Sequence, residues 1–175
     1  MADFHALTGF YRFLFLYAEP ISTITPAVMA WILPGEAWFW HQLIPSSSQA
    51  PLSLDDRTRM AIWQLGNCYL LLGLISSLVF RAVRDALPHD PVAQEKIVGA
   101  SLTALALADV RVIVRSIVVT LIALPHEIRT DPLNWNSMTH GNISFVILLL
   151  GVRLAWFAGI GRKQYVSPTG SKKKQ

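Results

Sequence analysis

The sequence predicts an all-α integral membrane protein, a four-helix bundle with its N- and C-termini cytosolic. Three observations carry that expectation. Hydrophobic residues make up 53% of the 175 and charged ones only 15%, with a mean hydropathy of +0.41, outside the usual soluble range. The apolar residues cluster into stretches near the roughly 20 residues a bilayer-crossing helix needs: Leu7 to Leu33, Ala61 to Val83, Ile97 to Leu124, and Ile143 to Ile160, the last completed by Gly141 or Asn142. Basic residues are unequally shared between the two faces. Arg12, Arg81, Arg84, Lys96, Arg162, Lys163, Lys172, Lys173 and Lys174 fall on one side and Arg57, Arg59 and Arg129 on the other, so the first side is cytosolic by the positive-inside rule.

Residues 1–162 then form the transmembrane domain and 163–175 a disordered basic cytosolic tail. The net charge of +4 describes a membrane-facing rim. Nucleic acid is not an expected partner, because the basic residues are not interleaved with exposed aromatics. Cys68 is the single cysteine and lies within a span, so no intramolecular disulfide can form.

The first span is too long for a secretory h-region and reads as a retained helix. Pro20 removes a backbone donor and kinks it, which turns Glu19 inward. Ser22, Thr23 and Thr25 stand where freed carbonyls need partners. The connection that follows carries Trp38, Phe39, Trp40 and His41, the composition of a membrane interface; it reads as an interfacial half-helix seating a lid, or as direct substrate contact. Pro45 to Ser48 and Pro51 form a loop, and Ser53 is the expected N-cap of the next helix.

In the second span Trp63, Asn67, Leu70, Leu74 and Arg81 share a face. Asn67 is its one deep amide, suited to interhelical hydrogen bonding or to lining a polar cavity. The third span holds Asp109, Arg111 and Arg115, and charge at that depth needs a partner or a wet cavity. At 100° per residue Asp109 shares a face with Ser116 and Thr120, whereas Arg111 and Arg115 lie roughly 200° and 240° away. Asp109 therefore calls for a partner on another helix, or for a proton. The two arginines fit pairing with Glu19, contact with a substrate or anion, or snorkelling to headgroups.

The third connection, 125–142, is polar. His126 and Glu127 do not begin a zinc motif, because Thr130 stands where the second histidine is needed; neither a metal nor a cofactor is expected. The Asn142-Ile143-Ser144 sequon abuts a span and is discounted. The fourth span places Asn142, Val146, Leu149, Arg153 and Trp156 on one stripe. Two acids, Glu19 and Asp109, thus meet three bases, Arg111, Arg115 and Arg153, inside the spans: a compact polar centre.

Tyr11 through Ser22 around Glu19-Pro20, Asn67-Cys68-Tyr69 in the second span, Ala108-Asp109 in the third, and Asn136, Gly141-Asn142-Ile143 and Arg153 in the fourth together resemble small four-span fungal membrane proteins of polyketide and terpenoid pathways. Similar in size and span count are the membrane epoxide hydrolases of aurovertin- and citreoviridin-type pathways. More distantly, the arrangement resembles the sterol isomerase and sigma-2 receptor superfamily, whose members hold an apolar ligand over buried acids. Arg111 and Arg115 depart from that pattern. Lys172 and Lys173 also match a dilysine retrieval signal, which implies the endoplasmic reticulum.

The resemblance implies an enzyme of secondary metabolism that opens or cyclises epoxides of a lipophilic polyketide or terpenoid. Two buried carboxylates in unequal environments divide the acid and base roles such chemistry requires. Asp109 is the expected base and Glu19 the expected acid, although the reverse is equally compatible with the sequence. Asn67 and Asn142 would orient water, and Trp63, Tyr69 and Trp156 would shape the apolar wall. A non-catalytic lipid or sterol binder and a structural scaffold clamped by ion pairs are the alternatives. Transport fits poorly unless four spans dimerise, and a homodimer remains open.

Overall fold

The computed structural model describes residues 4–44, 49 and 51–165, apart from the side chains of Ser116 and Ile117. The described chain is helical, with no strand among the described residues. Its elements are α1 (Gly9–Trp31), α2 (Glu36–Leu43), α3 (Asp56–Ala86), α4 (91–123), α5 (His126–Arg129) and α6 (Ser137–Phe157). Three of them, α1, α3 and α6, are long and apolar enough to cross a membrane. That marks the chain as a membrane protein. The fourth expected span, within α4, is not among these three.

Each helix begins where the chemistry of its first residues dictates. The start of α3 is set by Asp55 rather than by Ser53: its carboxylate accepts the backbone N–H groups of Arg57 and Thr58 at 3.0 and 3.1 Å. Hydrogen bonds from the Thr58 side chain and backbone hold the Asp55 carboxyl below its ordinary range. Asp90 caps α4 by accepting from Ala93 N, with Pro91 in the first turn, where its missing N–H costs nothing. Asn136 does the same for α6, accepting from Thr139 N at 2.7 Å. Gly35, at φ +106°, makes the turn between α1 and α2 in a region that side chains avoid.

The closest packing is between α1 and α3. Ile62, Gly66, Gly73, Ser76, Phe80 and Val83 are the buried residues of α3, and its small members let α1 come close. A Cβ at Gly66 would lie 2.7 Å from Trp31, and one at Gly73 would lie 2.5 Å from Ile24 and 3.2 Å from the Pro20 carbonyl oxygen. Asn67 and Trp63, one and three residues from Gly66, are exposed on the other side. The inward face of α3 is therefore the glycine face, not the expected Trp63–Asn67 face.

One end of the body is strapped by the N-terminal segment. Phe4, Ala6 and Leu7 are buried with Phe15, Phe80, Val98, Leu102 and Trp156 in one apolar cluster. Trp156 Nε1 donates to the Ala6 carbonyl (2.9 Å), Ala6 N–H donates to Gln94 Oε1 (3.2 Å), and Tyr11 Oη donates to the Ile160 carbonyl (2.6 Å). Arg162 bridges to the buried Glu95 at 2.9 Å and lies 3.8 Å from the Trp156 ring centre. Tyr165 also donates its backbone N–H to Glu95, so the docked chain runs beyond the expected boundary at residue 162. Residues 166–175, including the lysines of the dilysine match, and residues 45–48 of the expected Pro-Ser loop lie outside the described residues.

At the other end α2 lies across the body. Its Phe39 is fully buried with Ala30, Ile62 and Met138. Glu36 accepts from Arg59 Nε (2.5 Å) and Trp63 Nε1 (2.6 Å) of α3. From the far side, Asn136 Nδ2 donates to the Gln42 carbonyl and side-chain oxygens at 3.0 and 2.9 Å.

The close approach of α1 to α3 makes Gly73→Ala destabilising by about 1–3 kcal/mol. Gly151→Ala, where a Cβ meets nothing within 4 Å, should leave the melting temperature in detergent unchanged. Thermal unfolding of the two purified variants checks the contrast; equal melting would disprove the contact.

Candidate functional site

Pro20 cannot donate a backbone hydrogen bond, and the helix before it widens into a π-helical turn over Leu14–Ala18. Glu19 N–H accordingly bonds the carbonyl five residues back, at Leu14. This turn delivers Glu19 to the interior, where it is 5% exposed. Ser22 and Thr23 fold their hydroxyls back onto the Glu19 carbonyl at 2.8 and 2.7 Å.

Facing it is Arg153 of α6, 1% exposed. Its Nη2 donates to Glu19 Oε1 at 2.5 Å and its Nη1 donates to Asp109 Oδ2 of α4. The guanidinium also lies 5.8 Å from the ring centre of Phe15. Three helices thus meet through one cation and two carboxylates. Arg153 Nε and Glu19 Oε2 are buried without a hydrogen-bond partner among the described residues. An unmade bond of this kind costs about 1–3 kcal/mol, more for charged groups, which leaves Arg153 Nε–H to donate, and Glu19 Oε2 to accept, a bond with a bound molecule or water.

The triad closes one end of a cavity of about 750 Å³, within the ordinary 300–1,000 Å³ range of small-molecule sites. Met29, Leu72, Leu105, Val112, Phe145 and Leu149 give it an apolar wall, to which Tyr69 adds its ring. Towards α2 the wall turns polar again, with Trp38, Ser137, His140, Asn142 and Ser144. His140 Nδ1 and Ser144 Oγ are 3.0 Å apart, one helical turn from each other, and the His140 ring packs against Trp135 at 5.5 Å between centres. Among the described residues no group of three or more His, Cys, Asp or Glu is placed to hold a metal ion.

Of the residues singled out in the sequence, Glu19, Asp109, Arg153, Tyr69 and Asn142 line this cavity, and Trp38 joins them. The other five do not. Asn67 and Trp63 are exposed on α3, Trp63 serving Glu36 instead. Trp156 is buried at the strapped end, bonded to Ala6 and under Arg162. Arg111 and Arg115 are exposed, and among the described residues neither forms an ion pair; the partner of Glu19 is Arg153. The reason is angular. A helix that turns Asp109 inward must turn residues roughly 200–240° away outward. The side chain of Ser116, expected beside Asp109, lies outside the described residues, and Thr120 does not line the cavity. His140, Ser144, Ser22 and Thr23 line the cavity without having been singled out for it. The four-residue spacing of His140 and Ser144 was the available signal.

The sequence model of the DUF7704 family, a domain of unknown function, matches residues 4–163. The chain belongs to this family. The match covers every helix and both ends of the cavity. No curated protein and no solved structure matches the chain.

Arg153→Leu would strand two carboxylates in the interior and should cost about 3–5 kcal/mol. Combining it with Glu19→Gln and Asp109→Asn should restore most of that loss. Denaturation of the single and triple variants in detergent checks the pairing, and a triple variant no better than the single would refute it.

Proposed function

We propose that this DUF7704 chain is a membrane-embedded enzyme that opens or cyclises an epoxide of a lipophilic polyketide or terpenoid, using Glu19 and Asp109 as acid and base. The observation that carries the reading is the pair of carboxylates from different helices sharing one buried guanidinium at the charged end of an apolar cavity. Epoxide opening needs a proton delivered to the leaving oxygen and another removed from the attacking water or hydroxyl. Glu19 suits the acid role, because its Oε2 has no hydrogen-bond partner among the described residues and can carry a proton toward a ligand. Asp109, more open on the cavity wall, suits the base. As the C–O bond breaks, the oxygen takes the proton of Glu19, and Asp109 takes the proton of the nucleophile. Hydrolysis adds one water overall, whereas cyclisation adds nothing. Arg153 keeps the two carboxyl groups apart and fixed.

In this reading α4 is a fourth span. At about 50 Å it exceeds the roughly 30 Å of hydrocarbon, its acid paired inward and its arginines exposed toward lipid headgroups or another chain. Both termini face the cytosol, as the distribution of Lys and Arg supports. The contacts of Ala6 with Trp156 and of Tyr11 with Ile160 keep the N-terminal segment and the end of α6 at the same end of the body. A non-catalytic lipid or sterol binder has one specific observation in its favour, the engagement of both carboxylates by Arg153, which ties up groups that an acid and a base would need.

Turnover of a panel of lipophilic epoxides decides between them. Asp109→Asn and Glu19→Gln should each lower conversion by at least about 100-fold while melting close to the wild type. Saturable binding without product from the wild-type protein would instead establish the binder. Tags at the two termini should both be reached by protease from the cytosolic side of sealed vesicles; opposite accessibility would overturn the four-span topology.

A further inference from the structure

The cavity has two polar ends, and the proposed chemistry uses only one. From Glu19 to Met29, both on its wall, is ten helical residues, about 15 Å. From Arg153 to His140 on α6 is thirteen residues, about 20 Å. All four residues line the same cavity. Between the ends the wall is mostly Leu72, Leu105, Val112, Phe145 and Leu149, and the hydroxyls of Ser22, Thr23 and Thr25 there already donate to carbonyls of their own helix. Whatever fills the space must be apolar along its middle.

The triad end presents Glu19 Oε2, an acceptor without a partner on a side chain nine-tenths buried. At the far end His140 and Ser144 are coupled at 3.0 Å through Nδ1 and Oγ. No hydrogen bond of His140 Nε2 appears among the described residues. Asn142 adds an amide that can donate and accept. From these placements we infer that His140, Asn142 and Ser144 form a second polar subsite, and that the cavity selects long molecules with polar groups at both ends, 15–20 Å apart. The ligand class is an extended amphiphile with two polar ends, one donating to Glu19 and the other exchanging hydrogen bonds at His140. This deepens the reading of the same cavity as a lipophilic-substrate site and rests on it, but does not depend on turnover.

The inference also assigns Trp38 and α2 a role. Trp38 lies on the cavity wall and α2 is fastened on both sides, by Glu36 to α3 and by Gln42 to Asn136. The wall beside the polar subsite is therefore held in a fixed place, while Ser144 itself is exposed.

Competition binding tests it. The full chain in lipid nanodiscs would be saturated with radiolabelled hexadecane-1,16-diol and challenged with unlabelled α,ω-diols and 1-alkanols of about 8 to 20 carbons. At roughly 1.25 Å per methylene of extended chain, diols of about 12 to 16 carbons span the two ends. These diols should compete about tenfold better than 1-alkanols of equal length, one good hydrogen bond's worth, and better than shorter or longer diols. His140→Ala should remove that tenfold advantage, and Ser144→Ala should reduce it. Asn67→Ala, on the outer face of α3, should leave it intact. Competition that is flat with length, or a diol advantage that survives His140→Ala, overturns the subsite. Epoxide turnover with flat competition would sink this inference alone, and length-selective binding without turnover would sink the catalytic reading alone.

Discussion

A guanidinium inside a helical body cannot lose its proton, so its charge needs anionic oxygens close by wherever it is placed. Arg153 is 1% exposed, and its placement binds three helices to one geometry. Glu19 must come from α1 and Asp109 from α4, both at the level of Arg153. The π-helical turn before Pro20 brings the first acid inward. The phase of α4 that brings Asp109 inward sends Arg111 and Arg115 outward. Removing a pair of charges from water costs several kcal/mol per ion, and their attraction recovers this only with good geometry. The triad is therefore weak evidence of stability and better evidence of use: an apolar trio would hold the helices as well, without a buried carboxylate oxygen left unpartnered among the described residues.

The cavity exists because the other contacts are made elsewhere. Gly66 and Gly73 draw α1 against α3 along one side, where close backbone approach replaces the hydrophobic effect that lipid does not supply. Trp156, Ala6, Gln94, Glu95 and Arg162 close one end. The clamped helix α2 closes the other. Between these fixed ends α4 and α6 are left to face α1 across open volume, and the residues at that level, Met29, Leu105 and Leu149, become wall rather than core.

How much of this was legible in the sequence depends on the kind of residue. A charge inside an apolar run can be read without knowing any phase, because burial without a partner is too costly. The sequence groups Glu19 and Asp109 with Arg111, Arg115 and Arg153 on that ground; the structure brings Glu19, Asp109 and Arg153 together and leaves Arg111 and Arg115 exposed. The helical class was equally plain from the apolar runs. The second helix failed for the opposite reason. An amide and an indole were taken to mark the inner face, but in a lipid-facing helix neither has to be buried, whereas glycine facing glycine-sized space has no other purpose; Gly66 and Gly73 carried the signal and Asn67 did not. Trp156 was placed on the correct stripe of α6 but at the wrong depth, since stripe position says nothing about which end of the helix a ring will close. His140 and Ser144 were passed over because histidine was weighed only as a metal ligand.

Three of the helices that bound the cavity carry a π-helical turn beside it: Leu14–Ala18 before Glu19, Val112–Ile117 just after Asp109, and Gly141–Phe145 around Asn142. Such a turn leaves the regular i to i−4 ladder and rotates the residues beyond it relative to those before. A straight helix that packs well along one end has no freedom to reorient a single side chain at the middle. One widened turn supplies that freedom while the packed ends stay in register. The tight contacts of the strapped end and of the α1–α3 seam therefore coexist with a cavity whose polar groups converge, because the adjustment is confined to turns at or next to the cavity wall.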